Sequence, residues 1–221
     1  ERVNTPVAIS SIPKQVINET KAITLDQLLN KVSGVYMVDL GNEQHTMSIR
    51  QPINYSSVYL YLEDGIPIRT IGDFNHNALI EINGAALDNI EVLRGPSSSL
   101  YGSDAVGGAV NFITQAPTAV PTAKVQLEAS NYGYRRADFS ASDTRGNTGF
   151  SVAGYYANQH DTYKQHNDFH KLALTFRLDK QLSENSRWIN ALTWIKYKTD
   201  QTGGLDSLDF YTKNYASYYT F

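Results

Sequence analysis

The chain has 221 residues, with 19 basic and 22 acidic side chains and a net charge of −3, room for one large domain or two small ones. So even a charge balance offers no footprint for a nucleic-acid backbone, and no nucleic-acid partner is expected. Cysteine is absent, which excludes disulfide staples, thiolate metal sites and a cysteine nucleophile.

No run approaches the roughly 18 apolar residues of a membrane helix, and the opening Glu1-Arg2-Val3-Asn4 does not read as a signal peptide. The first clear element is a helix: Thr24-Leu25-Asp26-Gln27 fits a capping box, Leu28, Leu29 and Val32 follow at helical spacing, and Gly34 stops it. Short β-like runs then fall at Val35–Val38, Met47–Arg50, Val58–Leu62, Ile90–Leu93 and Ala109–Thr114, with an Asp64-Gly65 turn after the third. These mixed signals describe a small α/β domain.

A connection rich in Pro, Thr and Ala, residues 115–122, marks the boundary, with one domain over 1–118 and a second over 119–221. Aromatic content changes across it: 7 of the 25 Phe, Trp and Tyr residues lie in 1–118 and 18 in 119–221. Behind the boundary the pattern has period two. Val125, Leu127 and Ala129 alternate with polar residues, as do Ala137, Phe139 and Ala141, then Phe150, Val152, Gly154 and Tyr156, then Leu172, Leu174, Phe176 and Leu178.

Residues 188–198 read as extended, but their two faces are similarly apolar; a sixth strand is expected from about Tyr215. Connections alternate between tight ones near 131–134, 144–147 and 183–185 and longer ones at 160–168 and 199–214. A soluble antiparallel sheet with one wet face would give this pattern, and so would a transmembrane barrel with aromatic girdles. Tyr132, Tyr134, Tyr155, Tyr156, Tyr163, Trp188, Tyr197 and Tyr211 lie near strand ends, where such girdles sit.

The segment Asp88–Thr114 decides between them. It runs Ile90-Glu91-Val92-Leu93-Arg94-Gly95-Pro96, a small-residue stretch to Leu100-Tyr101-Gly102, then Gly107-Gly108 into Ala109-Val110-Asn111-Phe112. This closely resembles the plug of TonB-dependent outer-membrane receptors, with Ser48-Ile49-Arg50 and Asp64-Gly65-Ile66-Pro67 where the family has its Ile-Arg-Gly and Asp-Gly-Val-Pro segments. Gln51 departs from the family's glycine. Other readings of the glycines fail: no Lys-Ser/Thr follows them, they lead into a strand rather than a helix, and Gly-x-Ser-x-Gly does not occur.

The resemblance implies a mixed α/β plug followed by antiparallel transmembrane β-barrel strands, about six of the roughly 22 such a barrel needs. An open set of six would leave backbone groups unpaired in lipid, so the chain is expected to be a piece of a longer polypeptide, with the family's TonB box upstream of it. The implied function is TonB-dependent import of a scarce nutrient across the outer membrane of a Gram-negative bacterium, a ferric siderophore or related iron complex first. Haem, cobalamin and glycan are alternatives, as is a plug-containing structural or assembly role. A soluble secreted β-rich binding protein is the rival outside the membrane. The implied partners are TonB with its inner-membrane energising complex, the small-molecule nutrient and outer-membrane lipid; no catalytic residue, metal or cofactor is expected.

Two sets of residues follow from the resemblance. Arg50 and Arg94, with Glu91 beside them in the motif, are the implied plug–barrel contacts, because guanidinium makes bidentate bonds to carboxylates. Three plug loops, 40–46, 51–57 and 69–77, are directed outward in the family. They hold the candidate ligand contacts Asn42, Gln44, His45, Asn54, Tyr55, Phe74, Asn75 and His76, polar groups among aromatic area. Solvation of loop tips is the competing account. His166 and His170 have helical metal spacing, but in an extended chain they stand roughly 13 Å apart, too far to share an ion.

Overall fold

Pro13 has no N–H for a ladder and a fixed φ, here −71°. It ends an edge strand and opens a helix: β1 (Ala8–Pro13) runs directly into α1 (Lys14–Thr20). Neither element is expected from the sequence patterns above. The computed structural model describes residues 8–41, 43–53, 59–68, 78–102, 104–160, 166–200 and 206–213. By its internal contacts the chain divides into two units, Glu1–Gln115 and Ala116–Phe221.

In the first unit, α2 (Leu25–Leu29) starts at Thr24, whose side chain makes no capping bond. Gln27 Oε1 instead accepts from the backbone N–H of Ile23 at 3.1 Å, so the expected box forms only its return half, one residue early. Gly34 then turns the chain with φ +82° into a hairpin of β2 (Val35–Gly41) and β3 (Gln44–Ile49). A five-stranded sheet follows, in the order β1-β6-β7-β4-β5, with β4 (Tyr59–Glu63), β5 (Ile66–Pro67), β6 (Leu87–Arg94) and β7 (Gly108–Thr114). One core joins these elements: Leu28, Leu29, Met47, Ile49, Ile90 and Phe112 are each at most 2% exposed.

The motif residues hold this sheet together. Asp64 and Gly65 take φ +50° and +83° and make the turn between β4 and β5. Asp64 Oδ1 accepts from Thr114 N at 2.9 Å, and Asn111 Oδ1 accepts from Gly65 N at 2.9 Å, tying the turn to the end of β7. Between β6 and β7, a single helical turn, α3 (Ser98–Tyr101), sits in a loop closed by Gly95 N to Gly107 O at 3.0 Å and Ser97 N to Ala105 O at 2.8 Å. Gly108 must lack a side chain: a Cβ there would lie 2.2 Å from the Leu93 carbonyl oxygen.

The second unit is a meander of β8 (Thr122–Ala129), β9 (Tyr134–Arg145), β10 (Thr148–Gln159), β11 (Phe169–Ser183) and β12 (Ser186–Thr199), each antiparallel to the next. The described residues after it include one short helix, α4 (Ser207–Thr212); the strand expected near Tyr215 lies outside the described residues. The register puts Phe139, Gly154, Leu174 and Trp194 in one row across four strands, and Ala141, Val152, Phe176 and Leu192 in the next. The expected set Leu172, Leu174, Phe176 and Leu178 therefore shares one face with these residues, while Lys171, Thr175 and Arg177 point the other way.

The register also separates the faces of β12, which its own sequence left open. Trp188, Leu192 and Trp194 join the apolar rows; Thr193, Tyr197 and Arg187 join the polar face. Some expected girdle residues fall on the wrong side for that role. Tyr134, Tyr155 and Tyr197 stand on the polar face, where the Arg136 guanidinium lies 3.9 Å above the Tyr155 ring. Proximity to a strand end fixed their height and left the facing to parity.

Candidate functional site

Two places in the first unit bear on the expected site: the junction at Gly34 and the tip of the β2–β3 hairpin. At the junction, Gly34 O accepts the backbone N–H of Arg50 at 3.1 Å, and Ser33 O accepts Nη1 of Arg94 at 2.7 Å. A Cβ on Gly34 would lie 3.7 Å from Arg50 Cγ and 3.9 Å from Arg94 Cδ. Two arginines from β6 and from the end of β3 thus converge over one glycine.

Arg50 itself adopts φ +56°, the left-handed conformation that glycine usually fills. With Gln51 in place of the family's glycine, the turn is made at the arginine, and Ser48 Oγ donates to Gln51 O to hold it. Arg50 remains exposed. Arg94 Nε is buried with no hydrogen-bond partner among the described residues. A guanidinium held by one bond through Nη1 keeps further donors for a planar acceptor such as a carboxylate.

Glu91 does not join this pair. It lies three residues before Arg94 on an unbroken ladder, opposite Ser11 and Asn111, so its side chain leaves the other face of the strand. The three residues expected together are thus two converging arginines and one carboxylate across the sheet.

At the hairpin, the expected loop over 40–46 is mostly strand. Gln44 is half-buried and pairs with Gly41 at the start of β3. His45 is 1% exposed: Tyr61 Oη stands 2.7 Å from its Nε2, and its Nδ1 lies 3.2 Å from the Glu43 carbonyl oxygen. That network assigns the proton to Nδ1, with Nε2 accepting from the tyrosine. The ring packs edge-on to Tyr61, which packs in turn on Tyr59 and Phe112. His45 is therefore a core residue and not a loop contact, because it shares a strand face with Met47 and Ile49. Asn42, Asn54, Tyr55, Phe74, Asn75 and His76 lie outside the described residues.

Burial acts on the titrating groups of this core. It pushes the Tyr59 hydroxyl up to about 12 and the Tyr61 hydroxyl well above its usual range. Burial, with the neighbouring Asp64 adding, raises the Glu63 carboxyl to about 7. None of these groups stands in a metal-binding cluster among the described residues.

Comparison with known proteins agrees with this architecture. Residues 1–109 match the TonB-dependent Receptor Plug Domain family. The vitamin B12 transporter BtuB of Vibrio vulnificus is 29% identical over 198 residues, 82% of this chain and 32% of that protein. The ferrioxamine B receptor of Salmonella typhimurium is 32% identical over 139 residues, 62% of this chain and 19% of the receptor. The unliganded crystal structure of the ferric citrate transporter FecA superposes with a TM-score of 0.80 at 21% identity, over 96% of this chain and 34% of that one. The N-terminal unit is a TonB-dependent receptor plug domain, and the antiparallel sheet behind it shares the fold of the matching part of the FecA structure. The chain spans about a third of the length of the BtuB relative.

Proposed function

We propose that the receptor carrying this chain imports a scarce nutrient across the outer membrane of a Gram-negative bacterium, driven by TonB and its inner-membrane energising complex, with a ferric siderophore or related iron complex as cargo. The observation that carries this reading is the pairing of a plug-type core with a sheet of 12–15-residue strands over β9–β12, apolar on one face and polar on the other. Such strands cross a bilayer with the apolar face to lipid. No covalent step is needed, so the protein is a transporter and not an enzyme.

In this reading Arg50 and Arg94 hold the plug through carboxylates of the barrel wall, by bonds strong enough to retain it and reversible under load. Glu91, on the other face of β6, takes no part in that pairing. Cargo meets the outward plug segments that carry Asn42, Asn54, Tyr55, Phe74, Asn75 and His76, with Gln44 at their border. Arg50→Ala with Arg94→Ala should cut transport at least tenfold while leaving cargo affinity within about threefold. Equal growth of the double variant on a limiting nutrient would remove the arginines from the mechanism. Phe74→Ala with Tyr55→Ala should weaken cargo binding in an inserted receptor; unchanged affinity moves the cargo to barrel loops.

Cobalamin is the second reading, favoured by the likeness to the B12 transporter over most of this chain. Titrating the purified receptor with a ferric hydroxamate and with cyanocobalamin separates them. Tight binding of cyanocobalamin alone would replace the iron reading. Binding of neither, in a receptor with no TonB box encoded upstream of Glu1, would favour the structural or assembly role.

A further inference from the structure

We propose that the sheet carries a docking surface for phosphate-bearing lipid at the end remote from its two-residue turns, formed by Arg135, Lys196 and Lys198. The inference rests on the barrel reading above. Its starting point is the register. Arg135 of β9, Asn158 of β10, His170 of β11 and Lys198 of β12 lie in a single cross-strand row, and Ala137, Tyr156, Leu172 and Lys196 lie in the next. Both rows leave the same face as the apolar rows of Phe139, Leu174, Phe176 and Leu192.

The three cations are exposed, and among the described residues none has a carboxylate partner. Of the acidic groups at this end, Asp168 is engaged by His160 Nδ1 at 2.8 Å. Asp200 lies beyond the row, its backbone N–H donating to Asp168 O at 2.9 Å. Asn158 and His170 between the cations add further hydrogen-bonding groups. The opposite end of the face differs: there the row is Arg145, Thr148, Lys180 and Trp188, and Arg145 is held by Asp143 at 3.0 Å. Cationic charge is therefore concentrated at one margin of the apolar surface.

The occupant follows from that placement. Lysine and arginine stems lie along apolar area while their heads reach polar ground, which is where a bilayer presents phosphates. Arg135 and Lys198 are three strand spacings apart, roughly 14 Å, too wide to converge on one free phosphate ion. They match headgroups lying side by side. The turns at the other end, 146–147 and 184–185, are two residues long, whereas the connections at this end run to four residues at 130–133 and nine at 160–168; the shortest turns mark the periplasmic side of bacterial barrels. The row accordingly faces the outer leaflet.

The test uses the full-length receptor in nonionic detergent, offered equal amounts of dioleoyl phosphatidic acid and dioleoyl phosphatidylcholine, with bound lipid counted by native mass spectrometry. Each cation at an anionic surface contributes a factor of about five. The wild type should prefer phosphatidic acid by about tenfold or more, and Arg135→Gln/Lys196→Gln/Lys198→Gln should bring the preference to within about twofold. Arg135→Lys/Lys196→Arg/Lys198→Arg and, at the other margin, Lys180→Gln should keep it. Retained preference in the triple glutamine variant overturns the proposal, as does complete competition by millimolar inorganic phosphate, which would mean an ion site. A receptor that never reaches the outer-membrane fraction would overturn the barrel reading and this one with it; a receptor that inserts but lacks the preference overturns this one alone.

Discussion

Two sheets of five strands occur in this chain, yet they solve opposite problems. In the first unit the strands bury apolar side chains on both faces: Ile90 and Val92 on one side of β6 and Leu93 on the other are at most 5% exposed. In the second unit β11 alternates strictly, with Phe169, Lys171, Ala173, Thr175, Arg177 and Asp179 buried and the residues between them exposed or half-exposed. The buried face there is polar and the open face apolar. That inversion is costly in water and natural in lipid, so solvent, more than strand propensity, separates the two sheets.

The sharpest way to break this comparison is a charge on the open face. Leu192 is 71% exposed in the chain; on a water-facing surface Leu192→Arg would change stability by about 0.5 kcal/mol or less. Facing a bilayer near its midplane it should cost about 2–4 kcal/mol. Ala191→Arg, one residue away on the polar face and also exposed, should cost much less. Urea unfolding of the receptor in lipid vesicles measures both. Equal effects would mean that the two faces of β12 see the same solvent.

A smaller effect tests the closed core of the first unit. Tyr61→Phe removes the hydroxyl 2.7 Å from His45 Nε2 while keeping the ring that packs on Tyr59 and Phe112. Loss of a buried hydrogen bond of this kind costs about 1–2 kcal/mol. Hydrogen exchange at β3 and β4 in the intact receptor should accelerate accordingly, about 5- to 30-fold. Adding His45→Phe should recover part of the loss, since neither partner is then left polar. Unchanged exchange in Tyr61→Phe would show that the pair contributes nothing to holding the hairpin.

These two residues also show what the sequence made legible. The period-two runs of β8–β11 and the order of plug motifs placed the strands and their facing, because alternation maps directly onto the two faces of a sheet. β12 resisted, since Ile189 and Ile195 fall on the polar face opposite Trp188 and Trp194, and only cross-strand pairing with Lys180 and Leu174 separates them. The family resemblance places His45 in an outward loop. The contrary signal was present: His45, Met47 and Ile49 alternate at period two, the spacing of one buried strand face. The convergence of Arg50 and Arg94 over Gly34 joins residues 44 apart in sequence, and no local pattern carries it.

The smallest expected effect concerns pH, and it touches the first unit alone. Glu63 ends β4, paired with Ile66 on one side and Phe112 on the other. Burial, reinforced by the adjacent Asp64, raises its carboxyl from 4.5 to about 7. A raised folded-state value means that the native plug holds this proton more tightly than the unfolded chain does. The contribution is therefore complete below about 4.5 and is lost as pH climbs towards 7. With solvent screening of a half-buried group, the difference between pH 5 and pH 8 should be about 1 kcal/mol. Glu63→Gln keeps the shape and removes the titration, so hydrogen exchange at β4 and β7 should become less pH-dependent once corrected for intrinsic rates, and slower than wild type at pH 8. The second unit's strands, measured in the same experiment, should not respond to the substitution. A wild-type plug that gains protection from pH 5 to pH 8 would reverse the sign and assign Glu63 a stabilising charge partner in the intact receptor.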